Sequence, residues 1–179
     1  MKPIVNYLKN KRISKVLSHV SGRLLDVGCG EGNELCRRYL TSFPSYQAIG
    51  VDICPWSEVD IIIENSAALP FEDRSFDTIT CVAALNHIPE RVAFLREVRR
   101  LLMPDGKFIM TMIPPLLSTV WHRLIAPWDH DQTGREWEHG EVMGFTEEEV
   151  FGLFSEAGLK CVYKQRFILN LNCLYIAAI

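Results

Sequence analysis

The chain has no surplus of basic residues, no Cys-x-x-Cys pair and no apolar run near the length of a membrane span, and each absence removes a class of function. Nineteen Lys and Arg against 22 Asp and Glu leave a formal net charge of −3. A broad nucleic-acid face needs positive charge to meet phosphates, so a nucleic-acid partner is not expected. Every apolar run falls well short of the ~20 residues a spanning helix requires, and no signal core with a cleavage site opens the sequence. A cytoplasmic protein without stable membrane insertion is expected. Acidic residues are missing before Asp26, whereas Lys2, Lys9, Lys11, Arg12, Lys15 and Arg23 precede it. That stretch reads as the solvated face of an amphipathic helix, with weak attraction to an anionic membrane surface as the alternative. Repeats and low-complexity segments are also absent.

The chain does have apolar residues, at 48% of 179 positions, enough to form the core of one domain. Its six cysteines, at 29, 36, 54, 81, 161 and 173, sit mostly within apolar runs and read as reduced, buried thiols.

The hydrophobic period alternates along the chain. Ile4, Leu8, Ile13, Val16, Leu17 and Val20 fall at helical spacing, predicting a helix over residues 4–20. A strand is expected at 23–27, a helix at 33–40, and further strands at 47–52, 59–63, 76–82 and 107–113. Pro89 suits the first position of a helix that ends before the turn Pro104-Asp105-Gly106. Strands alternating with helices predict an α/β fold with a doubly wound, mostly parallel sheet that binds ligands at its carboxyl ends. The capping box Thr146 to Glu149 opens a helix to about Ala157, with Gly158 as its stop. Two strands at 160–169 and 173–179 follow, too closely linked to be anything but antiparallel. Only residues 53–58 join the second and third strands, so an extended link without a helix is expected there.

The strongest local signal is LLDVGCGEGN, residues 24–33, where a strand becomes a helix. Gly28 and Gly30 allow a sharp turn and a ligand close to bare amides, and the following helix directs its positive end into the same space. Asp52 closes the second strand 24 positions after Gly28, where a carboxylate can accept both hydroxyls of a ribose.

With LLDVGCGEG, IGVDI, NSAALPFEDRSFDTITCVAALNHI and FLREVRRLLMPDGKFIM in this order, and GFTEEEVFGLFSEAGL more faintly after them, the chain resembles a class I S-adenosylmethionine-dependent methyltransferase of the type 11 group. The resemblance implies a Rossmann-like, seven-stranded sheet whose last strand is antiparallel, and S-adenosyl-L-methionine as cofactor. It assigns Asp26, Gly28 and Gly30 to the methionine end and Asp52 to the ribose. Ile53 and Leu69 would cover the adenine faces, Asn65 and Ser66 would meet its edge, and Cys81 and Val82 would line the methionine side. Asn65 departs from the family pattern, in which an aspartate commonly accepts from the adenine amino group; an amide oxygen still accepts, more weakly.

Methyl transfer from a sulfonium is a direct displacement with a neutral leaving group, so positioning and water exclusion can supply most of the acceleration. His87, after the fourth strand, is the candidate catalytic residue, with a hydrogen-bonding role at a helix entry as the alternative. The single domain 1–179 is expected to carry a substrate-cap insertion at 114–145, with Trp128 and Trp137 as substrate-binding surfaces. Its histidines and carboxylates lack compact ligand spacing, so no metal is expected. The expected acceptor is a small metabolite, a saccharide or a lipid-linked intermediate. Two alternatives stay open: a nicotinamide-dependent oxidoreductase, although Asn33 occupies the third position of Gly-x-Gly-x-x-Gly, and a non-catalytic cofactor-binding partner protein.

Overall fold

The computed structural model describes residues 2–113, 142 and 144–179. The expected cap at 114–145, with Trp128 and Trp137, therefore lies almost wholly outside the described residues. The elements are α1 (Lys2–Leu17), β1 (Leu24–Val27), α2 (Glu34–Ser42), β2 (Ala48–Asp52), β3 (Ile61–Ile62) and β4 (Phe76–Val82). A 3-10 turn at Leu85–His87 leads to α3 (Arg91–Leu101) and β5 (Leu102–Met112), then α4 (Glu147–Glu156), β6 (Lys160–Phe167) and β7 (Asn172–Ala178).

The seven strands form one sheet in the order β3-β2-β1-β4-β5-β7-β6. Neighbours from β3 through β5 run parallel, while β7 lies antiparallel between β5 and β6. This is the expected mixed sheet with an antiparallel C-terminal hairpin. Strand order reverses between β1 and β4, so the connections leaving these two strands go to opposite sides and open a crevice at their carboxyl ends.

Side-chain alternation decides which helices cover which face. Leu25, Phe108 and Tyr175 point into a core built with Phe94, Leu95 and Val98 of α3 and Val150 and Phe154 of α4. Their neighbours Leu24, Ile109 and Leu174 point the other way, onto Ile13 and Val16 of α1 and Leu35 and Tyr39 of α2. Phe94, Phe108 and Phe154 meet edge to face with centroids 6.1 Å apart. Burying each such ring contributes on the order of 2–3 kcal/mol.

Several boundaries differ from expectation for local reasons. Pro89 lies outside its helix, because Glu90 takes the N-cap position (φ −90°, ψ 57°) and the helix begins at Arg91. The turn at Pro104–Gly106 appears as an outward bulge at the start of β5: Phe76 pairs with Leu102 and Thr78 with Lys107, so the residues between are looped out of the ladder. The link from β2 to β3 holds no helix, as its length requires, but it is bent and turned rather than extended, with Glu58 at φ 64°, and β3 keeps two paired residues. The capping box at Thr146 forms, with the Thr146 amide donating to Glu149 at 2.7 Å. No described helix is long and apolar enough to cross a membrane.

Candidate functional site

A cavity of about 680 Å³ opens where the sheet topology places a ligand, at the carboxyl ends of β1, β2, β4 and β5, within the usual range for small-molecule sites. Its floor begins at the turn leaving β1. Gly28 and Gly30 adopt φ of +74° and +66°. A Cβ on Gly28 would stand 2.7 Å from the Ala84 Cβ, so the first obstacle to a side chain there is the β4 exit rather than the ligand space. The third glycine position of a dinucleotide fingerprint is filled by Asn33 in the same left-handed region, φ 42° and ψ 46°, which asparagine tolerates. Its Nδ2 donates to Asp60 Oδ2 at 2.8 Å, and the Gly50 amide donates to the same oxygen at 2.7 Å. Asn33 therefore ties the turn to β2 and to the residues before β3.

Two carboxylates stand at the floor. Asp52, 8% exposed at the end of β2, accepts from the Gly30 amide through Oδ2 and from the Cys54 amide through Oδ1, both at 2.9 Å. These bonds fix the carboxylate and leave lone pairs on both oxygens for hydroxyl donors. Asp26, 2% exposed on β1, accepts from the Thr80 hydroxyl at 2.6 Å. Burial drives its carboxyl from 3.8 up to about 7; the Thr80 bond opposes the rise and the Asp52 charge adds to it. A buried acid in this state favours a cationic neighbour.

Ile53, Asn65 and Ser66 line the wall toward β3, joined by Trp56 and Ile63. Asn65 Oδ1 accepts from the Ala67 amide at 2.7 Å, an Asx-type turn that holds the loop's shape. From α3, Glu97 Oε1 accepts from the Leu69 amide at 2.8 Å, while Arg100 donates to the Phe71 carbonyl at 3.0 Å and pairs with Glu97 and Asp73. This clamp holds the segment that carries Asn65 and Ser66.

Leu69 and Cys81 lie in the buried core, at 5% and 0% exposure, while Ile53, Asn65, Ser66 and Val82 line the cavity. Cys81 faces the α3 side of the sheet, and its neighbour Val82, pointing oppositely, lines the cavity. Leu69 turns inward beneath the loop that the Glu97 carboxylate pins. Sequence reasoning missed Trp56, Ile63 and the wall that α1 supplies through Val5, Leu8 and Arg12. The signal was present in the Trp on a six-residue link beside Asp52 and in the helical stripe of α1.

His87 stands on the rim, its Nε2 3.0 Å from Asn86 Nδ2. The Asn86 carbonyl accepts from the Val142 amide at 3.1 Å and from Arg91 at 3.3 Å, and the Arg91 guanidinium stacks on Phe145 at 5.0 Å. Ile113 also lines the cavity. Both described ends of the 114–141 segment thus meet the rim.

The parts present fit S-adenosylmethionine: bare amides at a positive-φ turn, a fixed carboxylate for vicinal hydroxyls, a buried acid suited to an ammonium, and an apolar and amide-lined wall for a base. A nicotinamide fingerprint is broken at Asn33, whose side chain is committed to Asp60.

A family model described as a methyltransferase domain matches residues 25–110. "Probable phthiotriol/phenolphthiotriol dimycocerosates methyltransferase 2" of Mycobacterium ulcerans is 31% identical over 132 residues, 68% of this chain and 51% of the relative. Demethylmenaquinone methyltransferase of Staphylococcus aureus is 25% identical over 174 residues, 83% of this chain and 72% of the relative. The chain therefore spans about half the length of the first relative and nearly three quarters of the second. The crystal structure of a SAM-dependent methyltransferase from Methanosarcina mazei has the same fold, with a TM-score of 0.61 at 22% identity, covering 90% of this chain and 95% of that one. The glycine turn, the acid closing β2, the antiparallel β7 and these matches agree: residues 25–110 match a methyltransferase domain, and the chain is similar to S-adenosylmethionine-dependent methyltransferases in sequence pattern and in fold.

Proposed function

We propose that the protein binds S-adenosylmethionine in the cavity over β1 and β2 and transfers its methyl group to a small or lipid-linked acceptor. The observation that carries this reading is the pairing of Asp52 with the glycine turn: the Gly30 amide holds Asp52 Oδ2 at 2.9 Å, so the ribose acceptor and the close-approach backbone form one rigid unit. Bound S-adenosylmethionine would supply a methyl on a sulfonium that departs as a neutral thioether. Asp52 would accept from the ribose hydroxyls, Asp26 would face the ammonium, and Asn65 with Ser66 would meet the base edge beside Ile53. In place of Leu69, Ile63 is the second apolar surface at that wall.

His87 has the task of orienting the rim. Its Nε2 lies 3.0 Å from the Asn86 side-chain amide, and a ring nitrogen held in that contact favours positioning over general-base work. Closure over the acceptor falls to the segment whose described ends sit at Ile113 and Val142, with Trp128 and Trp137 as its binding surfaces. The names of the two relatives, for a dimycocerosate and for demethylmenaquinone, support a lipid-linked or quinol-like acceptor over a macromolecule.

The experiment is transfer of label from methyl-labelled S-adenosylmethionine to separate pools of hydroquinones, aromatic and aliphatic acids, lipid extracts and proteins. Label in an organic-soluble product supports the reading. Label in protein alone, or in nothing despite cofactor binding, overturns it and leaves the partner-protein alternative.

A further inference from the structure

We infer that one water molecule is bound between Thr111 of β5 and Asn172 of β7, on the face of the sheet that α1 and α2 cover and directly behind the cavity wall; the inference is independent of the cofactor reading above. Thr111 and Asn172 are 0% and 3% exposed. Neither Thr111 Oγ1 nor Asn172 Oδ1 has a hydrogen-bond partner in the protein, so the two do not bond each other. Buried oxygens left in that state are costly, and folded cores satisfy them with backbone, a side chain or a held water.

The sheet register brings the two residues together. Thr111 pairs with Leu174 and Met112 with Cys173, so Asn172 is the diagonal neighbour of Thr111 across the β5–β7 ladder. Ile109 and Leu174 pack on α1 and α2, and alternation puts Thr111 and Asn172 on the same face. Phe167, which pairs with Asn172 from β6, packs against that layer too. A diagonal pair has its Cβ atoms roughly 7 Å apart, within reach of one water that makes two bonds of about 2.8 Å. Thr111 donates its hydroxyl proton to the water, and the water donates to Asn172 Oδ1. Two protein partners are enough to hold a buried water. The sheet neighbours of the pair, Val82, Leu174, Ile109 and Phe167, are apolar. One neutral hydroxyl and one neutral amide oxygen in such a setting suit a neutral molecule that both donates and accepts, and water is small enough to be enclosed there. Its position gives the water a task. Val82, the cross-strand partner of Thr111, and Ile113, two residues beyond it on the chain, both line the cavity. The water therefore ties β7 to β5 immediately behind that wall.

The test is a crystal structure of the full chain without added ligand, repeated on Thr111→Val. The expected result is a single water within hydrogen-bond distance of Thr111 Oγ1 and Asn172 Oδ1, lost in the variant. A direct bond between the two side chains, no density between them, or an ion or larger solute in that place overturns the inference. Thermal unfolding of Thr111→Val, Asn172→Leu and the double variant gives a second reading. Each single change leaves the water and the remaining oxygen short of a partner and should lower the melting temperature. The double change replaces the whole polar site with apolar surface, so its shift should be smaller than the two single shifts combined. Single shifts that simply add, or single variants that melt as wild type does, overturn the inference. Where a variant does not fold, the wild-type crystal structure decides.

Discussion

Burial changes the chemistry of Asp26 on the cavity floor. Its folded-state carboxyl titrates near 7 against 3.8 in an ordinary setting, so the stability gained by holding it protonated is fully present below about pH 4 and is lost as pH rises through 7. The ligand-free protein should therefore melt at lower temperature at pH 7.5 than at pH 5.5 through this residue, and Asp26→Asn should flatten that part of the profile. Binding has the opposite sign, because an ionised Asp26 attracts an ammonium. S-adenosylhomocysteine affinity should rise between pH 5.5 and 7, with proton release seen as a buffer-dependent binding enthalpy, and Asp26→Asn should abolish the release. An unchanged buffer dependence in that variant would place the titration elsewhere. At Asn65, an aspartate keeps the acceptor that holds the Ala67 amide and adds charge toward the base. Asn65→Asp should tighten S-adenosylhomocysteine about fivefold, roughly 1 kcal/mol, by isothermal titration. Weaker binding with the melt unchanged would contradict the base-edge placement. Cys81 and Val82 are adjacent in sequence, but alternation sends Cys81 into the core and Val82 to the cavity, and a sequence pattern alone does not say which.

At the scale of elements, the turn from β1 into α2 is held from outside by Asn33, Asp60 and the bare Cα of Gly50. A Cβ on Gly50 would come within 2.2 Å of Asn33 Oδ1. Gly50→Ala should therefore destabilise the protein by about 1–3 kcal/mol and loosen the cofactor turn, and Asn33→Ala should do likewise by leaving Asp60 short of a donor. Thermal melts within about 1 °C of wild type would show that this tie does not hold the turn. The segment with Trp128 and Trp137 gives an element-scale expectation as well. Replacing both with alanine should raise the acceptor Michaelis constant or abolish turnover while S-adenosylhomocysteine affinity stays within about threefold, roughly 0.65 kcal/mol. Loss of fold with unaltered acceptor kinetics per folded molecule would make the segment structural. Strand and helix order was legible because the apolar period switches cleanly between 2 and 3.6, and the short β2–β3 link was legible from its length. The β5 bulge was not, since Pro104-Asp105-Gly106 reads as a turn and only the pairing of Phe76 with Leu102 shows the strand beginning before it. The α1 wall was also hidden, because Val5, Leu8 and Arg12 satisfy the same helical stripe whether they cover a core or a cavity.

At the scale of the whole molecule, the doubly wound sheet opens its crevice at the β1–β4 switch point, and the proposed cofactor lies across it with Asp52, which closes β2, at its ribose. The same architecture serves nicotinamide enzymes, and here Asn33 and the antiparallel β7 separate the two readings. The most direct measurement is therefore a paired titration of the wild-type protein with S-adenosylhomocysteine and with NAD, followed by calorimetry and thermal melting and repeated on Asp52→Ala. S-adenosylhomocysteine should bind one to one and raise the melting temperature with concentration, and NAD should do neither. Asp52→Ala should remain folded and lose about 1.5–3 kcal/mol of S-adenosylhomocysteine affinity, since a charged acceptor for two hydroxyls is gone. Stabilisation by NAD in place of S-adenosylhomocysteine, or an S-adenosylhomocysteine affinity indifferent to Asp52→Ala, would contradict the account.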